Sequence, residues 1–379
     1  MADSTNTFWK ADWDRIREHY MAWWRREGLV LHVLAPRDSS PERDTRNPQA
    51  PFYYLMGGLD PTAIYPDDAA LRDAWLNAER RARLAERYLR GIYFGGDAFP
   101  FFDTNIGPGN LATFLGAEPS FAPDTVWYAP CITDPDRHPP LRFDPQNPWF
   151  LRQKAVAEAG VAISAGRFLV SMPDLIENLD TLASLRETQR LMLDLVERPA
   201  FVKERLAEIN QAYFQAFQAL YEIVQTPWGG NVFSAFSIWG PGRTAKVQCD
   251  ACVMISPEMF AEFVVPYLVE QCAWLDYSMY HLDGTQAFRH LDALLSIEAL
   301  DAIEWTPQVS APQGGSPEWY GLYRRILDAG KSIQAINVQP DEVLPLLDAI
   351  GTRGVFLMVN AASEAEARAL VEAVEARRS

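Results

Sequence analysis

The chain has 379 residues, 48% hydrophobic and 22% charged, with 34 basic against 50 acidic side chains and a net charge of −16. This is globular composition and excludes a collagen-like or low-complexity chain. The acidic balance speaks against nucleic acid and against an anionic membrane surface, since both call for clustered Lys and Arg.

Cys131, Cys249, Cys252 and Cys272 are too few for a disulfide framework and read as free thiols of a reducing cytosol. Cys249-Asp-Ala-Cys252 has no second pair to complete a zinc site. The first 14 residues are polar, and no run reaches about 18 apolar residues. A cytoplasmic protein without a membrane span is therefore expected.

The first strand candidates are Leu29-Val-Leu-His-Val and Gly91-Ile-Tyr-Phe. Segments 36–80 and 97–150 are rich in Pro, Asp, Asn and aromatics and read as long insertions. Phe168-Leu-Val-Ser-Met is a strand that ends at Pro173-Asp174. Helical spacing follows over 185–224, with Pro199 placed to break it. Residues 232–239 make the next strand. Ser256-Pro-Glu is an N-cap, a first-turn proline and a first-turn acid, opening a helix to about Trp274. Strands at 278–282, 302–305, 332–336 and 355–359 then alternate with helices at 286–295, 317–329 and 341–350. Gly330 and Gly351 stop two of these helices, and Ser363-Glu364 caps a last one reaching about Arg377.

Strands separated by helices imply right-handed crossovers and a parallel sheet. Eight strands in this length favour a (β/α)8 TIM barrel: a single domain over 1–379 with an N-terminal extension and long βα-loop insertions. An open sheet is the alternative. No G-x-G-x-x-G, Walker loop, G-x-S-x-G or H-E-x-x-H is present, so no nucleotide cofactor is expected.

Barrel chemistry sits where strands run out. Those ends carry Asp97, Asp174, His281 with Asp283, Glu304 with Trp305, Asn337 and Asn360. His281 and Asp283 share one face by strand alternation. With Glu304 one strand over, they form an N,O set suited to zinc or a harder divalent cation. Two other readings of the pair stay open: Asp283 orients His281 as a metal-free acid–base, or Asp283-Gly284 is a turn. Asp97 is either a carboxylate facing a cationic group or a turn residue. Arg37 and Arg243 are either anion contacts or surface ion pairs. Trp127, Trp228, Trp239 and Trp305 are either pocket walls or core. His19, His32, His138 and His290 receive no role.

Asp250 to Tyr267 reads D-x-x-x-x-I-S-P-E-x-F-x-E-F-x-x-P-Y, with Tyr280-His-Leu-Asp-Gly284 and Gly95-Gly-Asp-Ala-Phe-Pro100 beside it. Together these resemble the uroporphyrinogen decarboxylase-like superfamily, and the resemblance spans about Arg15 to Arg377. It implies a (β/α)8 barrel with the site at its C-terminal mouth, and Asp97 aligned with the decarboxylases' essential aspartate. Trp23-Trp-Arg-Arg-Glu-Gly28 stands where decarboxylases carry Arg-Gln-Ala-Gly-Arg, and Asn360-Ala-Ala where they carry a histidine. His281-x-Asp283 replaces the His-x-Cys of the corrinoid-methyltransferase branch.

The resemblance favours the methyltransferase-like branch. It implies a small methylated substrate, a metal site with zinc as the first expectation, corrinoid only through a partner protein, and a homodimer as one oligomeric state. Asp97 and His281 are the expected catalytic residues, and His281, Asp283 and Glu304 the expected metal ligands. Arg37, Asp174, Trp239, Arg243, Trp305, Asn337 and Asn360 are the expected substrate contacts. A metal-free decarboxylase or lyase and a non-catalytic ligand-binding protein are the alternatives.

Overall fold

A computed structural model describes residues 8–37, 59, 63–123 and 125–378. Most of the 36–80 insertion lies outside them. Among the described residues thirteen strands run in chain order: β1 Leu29–Pro36, β2 Ile92–Gly96, β3 Phe101–Phe102, β4 Glu118–Phe121, β5 Val126–Ala129, β6 Leu169–Met172, β7 Asn231–Phe233, β8 Ile238–Gly240, β9 Thr244–Val247, β10 Tyr277–Asp283, β11 Ala302–Thr306, β12 Ser332–Val338 and β13 Val355–Asn360. They form a seven-stranded sheet in the order β2-β1-β13-β12-β11-β10-β9, a four-stranded sheet β3-β6-β7-β8, and the hairpin β4-β5.

From β9 to β1 the large sheet is parallel, as strands linked by helices require. The 91–94 strand departs from that expectation: β2 runs antiparallel to β1, with Gly96 opposite His32. The 232–239 run also divides. Phe236 and Ser237 adopt positive φ, 66° and 53°, which no strand tolerates, and the chain doubles back as β7 and β8. The helical segment over 185–224 is broken at Pro199 and also at Glu187, whose φ is 77°. Ser256 does cap its helix, accepting from the Met259 N–H, but Val264 interrupts the run to Trp274.

Among the described residues no backbone ladder joins the two large sheets; side chains bridge them instead. At one seam the Asn231 amide donates to the Thr244 carbonyl at 2.9 Å and accepts from the Thr244 N–H at 2.9 Å, tying β7 to β9. At the other, Asp97 accepts the Leu31 N–H at 2.8 Å and donates its own N–H to the Leu31 carbonyl, where β1 meets the chain leading into β3. Each polar side chain takes the place of a strand neighbour and satisfies backbone groups that burial would otherwise orphan.

The N-terminal helix Trp13–Trp24 closes the end where the parallel strands begin. Its Trp23 indole donates to the Ile333 carbonyl, and Ser332 donates to the Trp23 carbonyl. Trp13, Tyr20 and Trp23 pack there on Phe99, Trp239 and Phe356. The opposite end, where β10 to β13 run out, stays polar. No helix among the described residues is long and apolar enough to cross a membrane.

Candidate metal centre and adjoining cavity

Register decides the first contact of the site. Glu304 lies directly opposite His281 across β10 and β11. Its Oε2 meets His281 Nδ1 at 2.5 Å, and its Oε1 accepts from the Thr306 hydroxyl at 2.7 Å. A carboxylate can only accept, so Nδ1 carries the hydrogen and Nε2 is the nitrogen left for an outside partner. Glu304 is fully buried. Burial alone would lower the His281 pKa; the Glu304 charge and hydrogen bond outweigh it and raise it.

Asp250 brings the third group. It opens a short turn, Asp250–Met254, anchored where Asp180 accepts the N–H groups of Asp250 and Ala251 at 2.7 and 2.9 Å. Burial, then the Asp180 charge, push Asp250 up to about 6. Asp250, His281 and Asp283 each offer a ligand atom, and these atoms lie within 4.8 Å of one another. One imidazole nitrogen and two carboxylate oxygens suit a divalent cation of hard or borderline character. A histidine held from behind by a carboxylate is the usual support of such a ligand.

A buried ionic cluster adjoins this group. Lys246 on β9 is 2% exposed and pairs with Asp174 at 2.8 Å. Lys246 also bonds Gln248, whose N–H donates to Glu177 at 2.8 Å. Glu177 is buried, and its pKa rises to about 8.

Beyond Phe236 lies a cavity of about 220 Å³. Its walls are His32 and Leu34 of β1, the turn at 234–237, Ile336 and Asn337 of β12, and Met358 and Asn360 of β13. A bulge makes room for Asn337: three steps on β12, from Ala335 to Val338, face two on β13, and Asn337 takes a φ of 53°. The Phe236 ring, part of the cavity wall, lies 4.9 Å from the His281 ring and so brings cavity and candidate metal group side by side.

The structure distributes the expected site residues unevenly. His281, Asp283 and Glu304 come together, with Asp250 beside His281 and Asp283 as a third potential ligand and Glu304 behind the histidine. Asn337 and Asn360 line the cavity. Asp174 belongs to the Lys246 cluster. Asp97 is fully buried, pairs with His19 at 2.6 Å at the N-terminal helix, and lines no part of the cavity. Arg37 lies in an outer cleft with Trp9 and Arg90. Arg243 pairs with Asp276 and stacks on Trp274 at 4.4 Å. Trp239 and Trp305 are core, and Trp127 is exposed. Cys249 and Cys252 are buried thiols whose pKa values burial raises, Cys252 to about 12. Asp250, Lys246, Glu177 and His32 were not among the expected site residues.

No family model matches the sequence, and no curated protein matches it. Among solved structures, the chain is similar to a methyltransferase from Methanosarcina mazei. The two share a fold with a TM-score of 0.56 over 96% of this chain and 99% of that one, at 10% sequence identity. The likeness thus covers nearly the whole of both chains and is one of fold.

Proposed function

We propose that the chain is a methyltransferase-like enzyme acting on a small methylated substrate at a divalent metal held by Asp250, His281 and Asp283. The observation that carries this reading is the convergence of those three groups at the strand ends, with Glu304 fixing the imidazole. The fold likeness to a methyltransferase supports it. In this reading the two large sheets are parts of one barrel of the (β/α)8 type, with Asn231 and Asp97 bridging its seams, and the site lies in its mouth. A corrinoid protein is the partner the sequence resemblance implies.

The metal would act as a Lewis acid toward a substrate heteroatom. The chain's own residues do the rest. Glu304 holds the proton on Nδ1 and aims Nε2. Asp180 holds the Asp250 turn in place. Phe236 covers His281 on the cavity side and keeps water from it.

A metal-free acid–base lyase is the second reading, favoured by the Glu304-raised pKa of His281. The uncharged cavity lining weighs against a polycarboxylate substrate for it.

Elemental analysis of tag-free wild type and His281→Ala separates the two. Near-stoichiometric metal that disappears in the variant is expected. No metal in wild type, even after incubation with zinc or manganese, would move the assignment to the lyase reading.

A further inference from the structure

His32 is 1% exposed, and neither of its ring nitrogens has a hydrogen-bond partner among the described residues. Its ring borders the 220 Å³ cavity. A buried imidazole without partners is costly, because each polar atom forfeits its bonds to water. Several other buried side chains, Tyr213, Trp305 and Gln334 among them, leave one polar atom unpaired, but among the described residues His32 alone leaves two, and a pair on one ring at a cavity wall asks for an absent partner.

The remaining polar groups of the wall are Ser234, Ser237, Asn337 and Asn360, and none of them is ionisable. The apolar part is Leu34, Ala235, Phe236, Ile336 and Met358. No Asp, Glu, Lys or Arg is among these lining residues. Burial also pushes the His32 pKa down to about 3, so the ring is neutral at pH 7 and offers one donor and one acceptor.

We propose that this cavity binds a small uncharged molecule with an apolar body, its hydrogen-bonding group seated on His32 and its far end directed past Phe236 toward Asp250, His281 and Asp283. The argument is one of complementarity. Among the described lining residues an anion would meet no cation and a cation no carboxylate, and either would lose its hydration without repayment there. A neutral amide or alcohol loses much less and can donate to or accept from an imidazole nitrogen. The volume falls below the roughly 300 Å³ at which drug-sized sites begin, which limits the ligand to about one ring or a short chain. The proposal rests on the methyltransferase-like reading only in taking this cavity as the substrate's seat; binding itself requires no metal.

The test uses benzamide and benzoate, matched in shape and differing in charge. Binding to chelator-treated protein at pH 7 is followed by ligand-observed NMR and titration calorimetry. Benzamide should bind at least about tenfold more tightly than benzoate. His32→Leu should lose benzamide by a similar factor, while His32→Gln, which restores a donor and an acceptor, should retain part of it. Thermal unfolding of each variant confirms that it is folded. Benzoate binding as well as benzamide, benzamide binding unchanged in folded His32→Leu, or no binding of either probe would each overturn the proposal. Because the protein is metal-free throughout, failure here is distinct from failure of the metal assignment, which elemental analysis alone decides.

Discussion

Acidification from pH 7 to 4.5 should destabilise the protein through His32, and removing the imidazole should abolish that component. The ring titrates at about 3 in the folded chain against an ordinary value of 6.5. Above 6.5 both states hold it neutral and pH has no effect through this group. Below 6.5 the unfolded chain takes up a proton that the folded chain refuses, so stability falls with pH until about 3. One pH unit in this window is worth about 1.4 kcal/mol, so about 2–3 kcal/mol is lost by pH 4.5.

Other groups act against it. Glu177 is raised to about 8 and Asp103 and Asp250 to about 6, mainly by burial. Each of these favours the folded state below its ordinary value and loses that contribution as pH rises through the raised one. Wild-type stability alone therefore mixes signs. The informative quantity is the difference between wild type and His32→Leu, measured by urea unfolding at half-unit steps from pH 7 to 4.5. That difference should shift by about 1.4 kcal/mol per unit below 6.5, in favour of the variant. A difference that stays flat across the range would refute the buried, neutral state of His32.

Two further outcomes follow from the site. Glu304→Gln should lower zinc affinity about 10–100-fold in a competitive chelator titration while leaving one metal per chain. Loss of the metal altogether would instead make Glu304 a ligand. Lys246→Met strands the Asp174 charge in the interior and should cost about 3–5 kcal/mol in chemical unfolding, whereas Lys246→Met with Asp174→Leu should regain much of it. Equal losses in the single and double variants would show that packing of the lysine stem, not its charge, is what matters.

Punctuation made much of the second half legible. Pro199, Ser256, Gly330 and Gly351 start or stop helices through local chemistry, and the sequence states local chemistry directly. The strand-end rule likewise singled out His281, Asp283 and Glu304, which lie together, and Asn337 and Asn360, which line one cavity. What stayed hidden depends on contacts distant in sequence. Thr244–Val247 does not read as a strand because Lys246 interrupts it; the ion pair that offsets its charge is with Asp174, 72 residues away. Asp250, the third candidate ligand, is anchored by Asp180, 70 residues away. Which carboxylate lies beside the candidate metal group and which lies behind His281 depends on cross-strand register, and periodicity carries no record of register. Asp97 sits at a strand end, yet its hydrogen bonds go to Leu31 and His19. His32 left one usable trace: it is the single polar residue in the run Leu29-Val-Leu-His-Val-Leu.

The turn at Phe236 links the two halves of the mouth. Consecutive non-glycine residues at φ 66° and 53° carry strain of about 1–3 kcal/mol each, which persists only where surroundings enforce it. They do so here. Gln334 donates to the Phe236 carbonyl at 2.7 Å and Tyr20 to the Ser237 carbonyl at 3.0 Å, from β12 and from the N-terminal helix. A relaxed strand over these residues would run β7 straight on and carry the phenyl ring away from His281. The strained one holds it 4.9 Å from the imidazole on one side and in the wall of the neutral cavity on the other. In the proposed reaction this places an apolar partition where a substrate passes from an uncharged binding site to a charged chemical one.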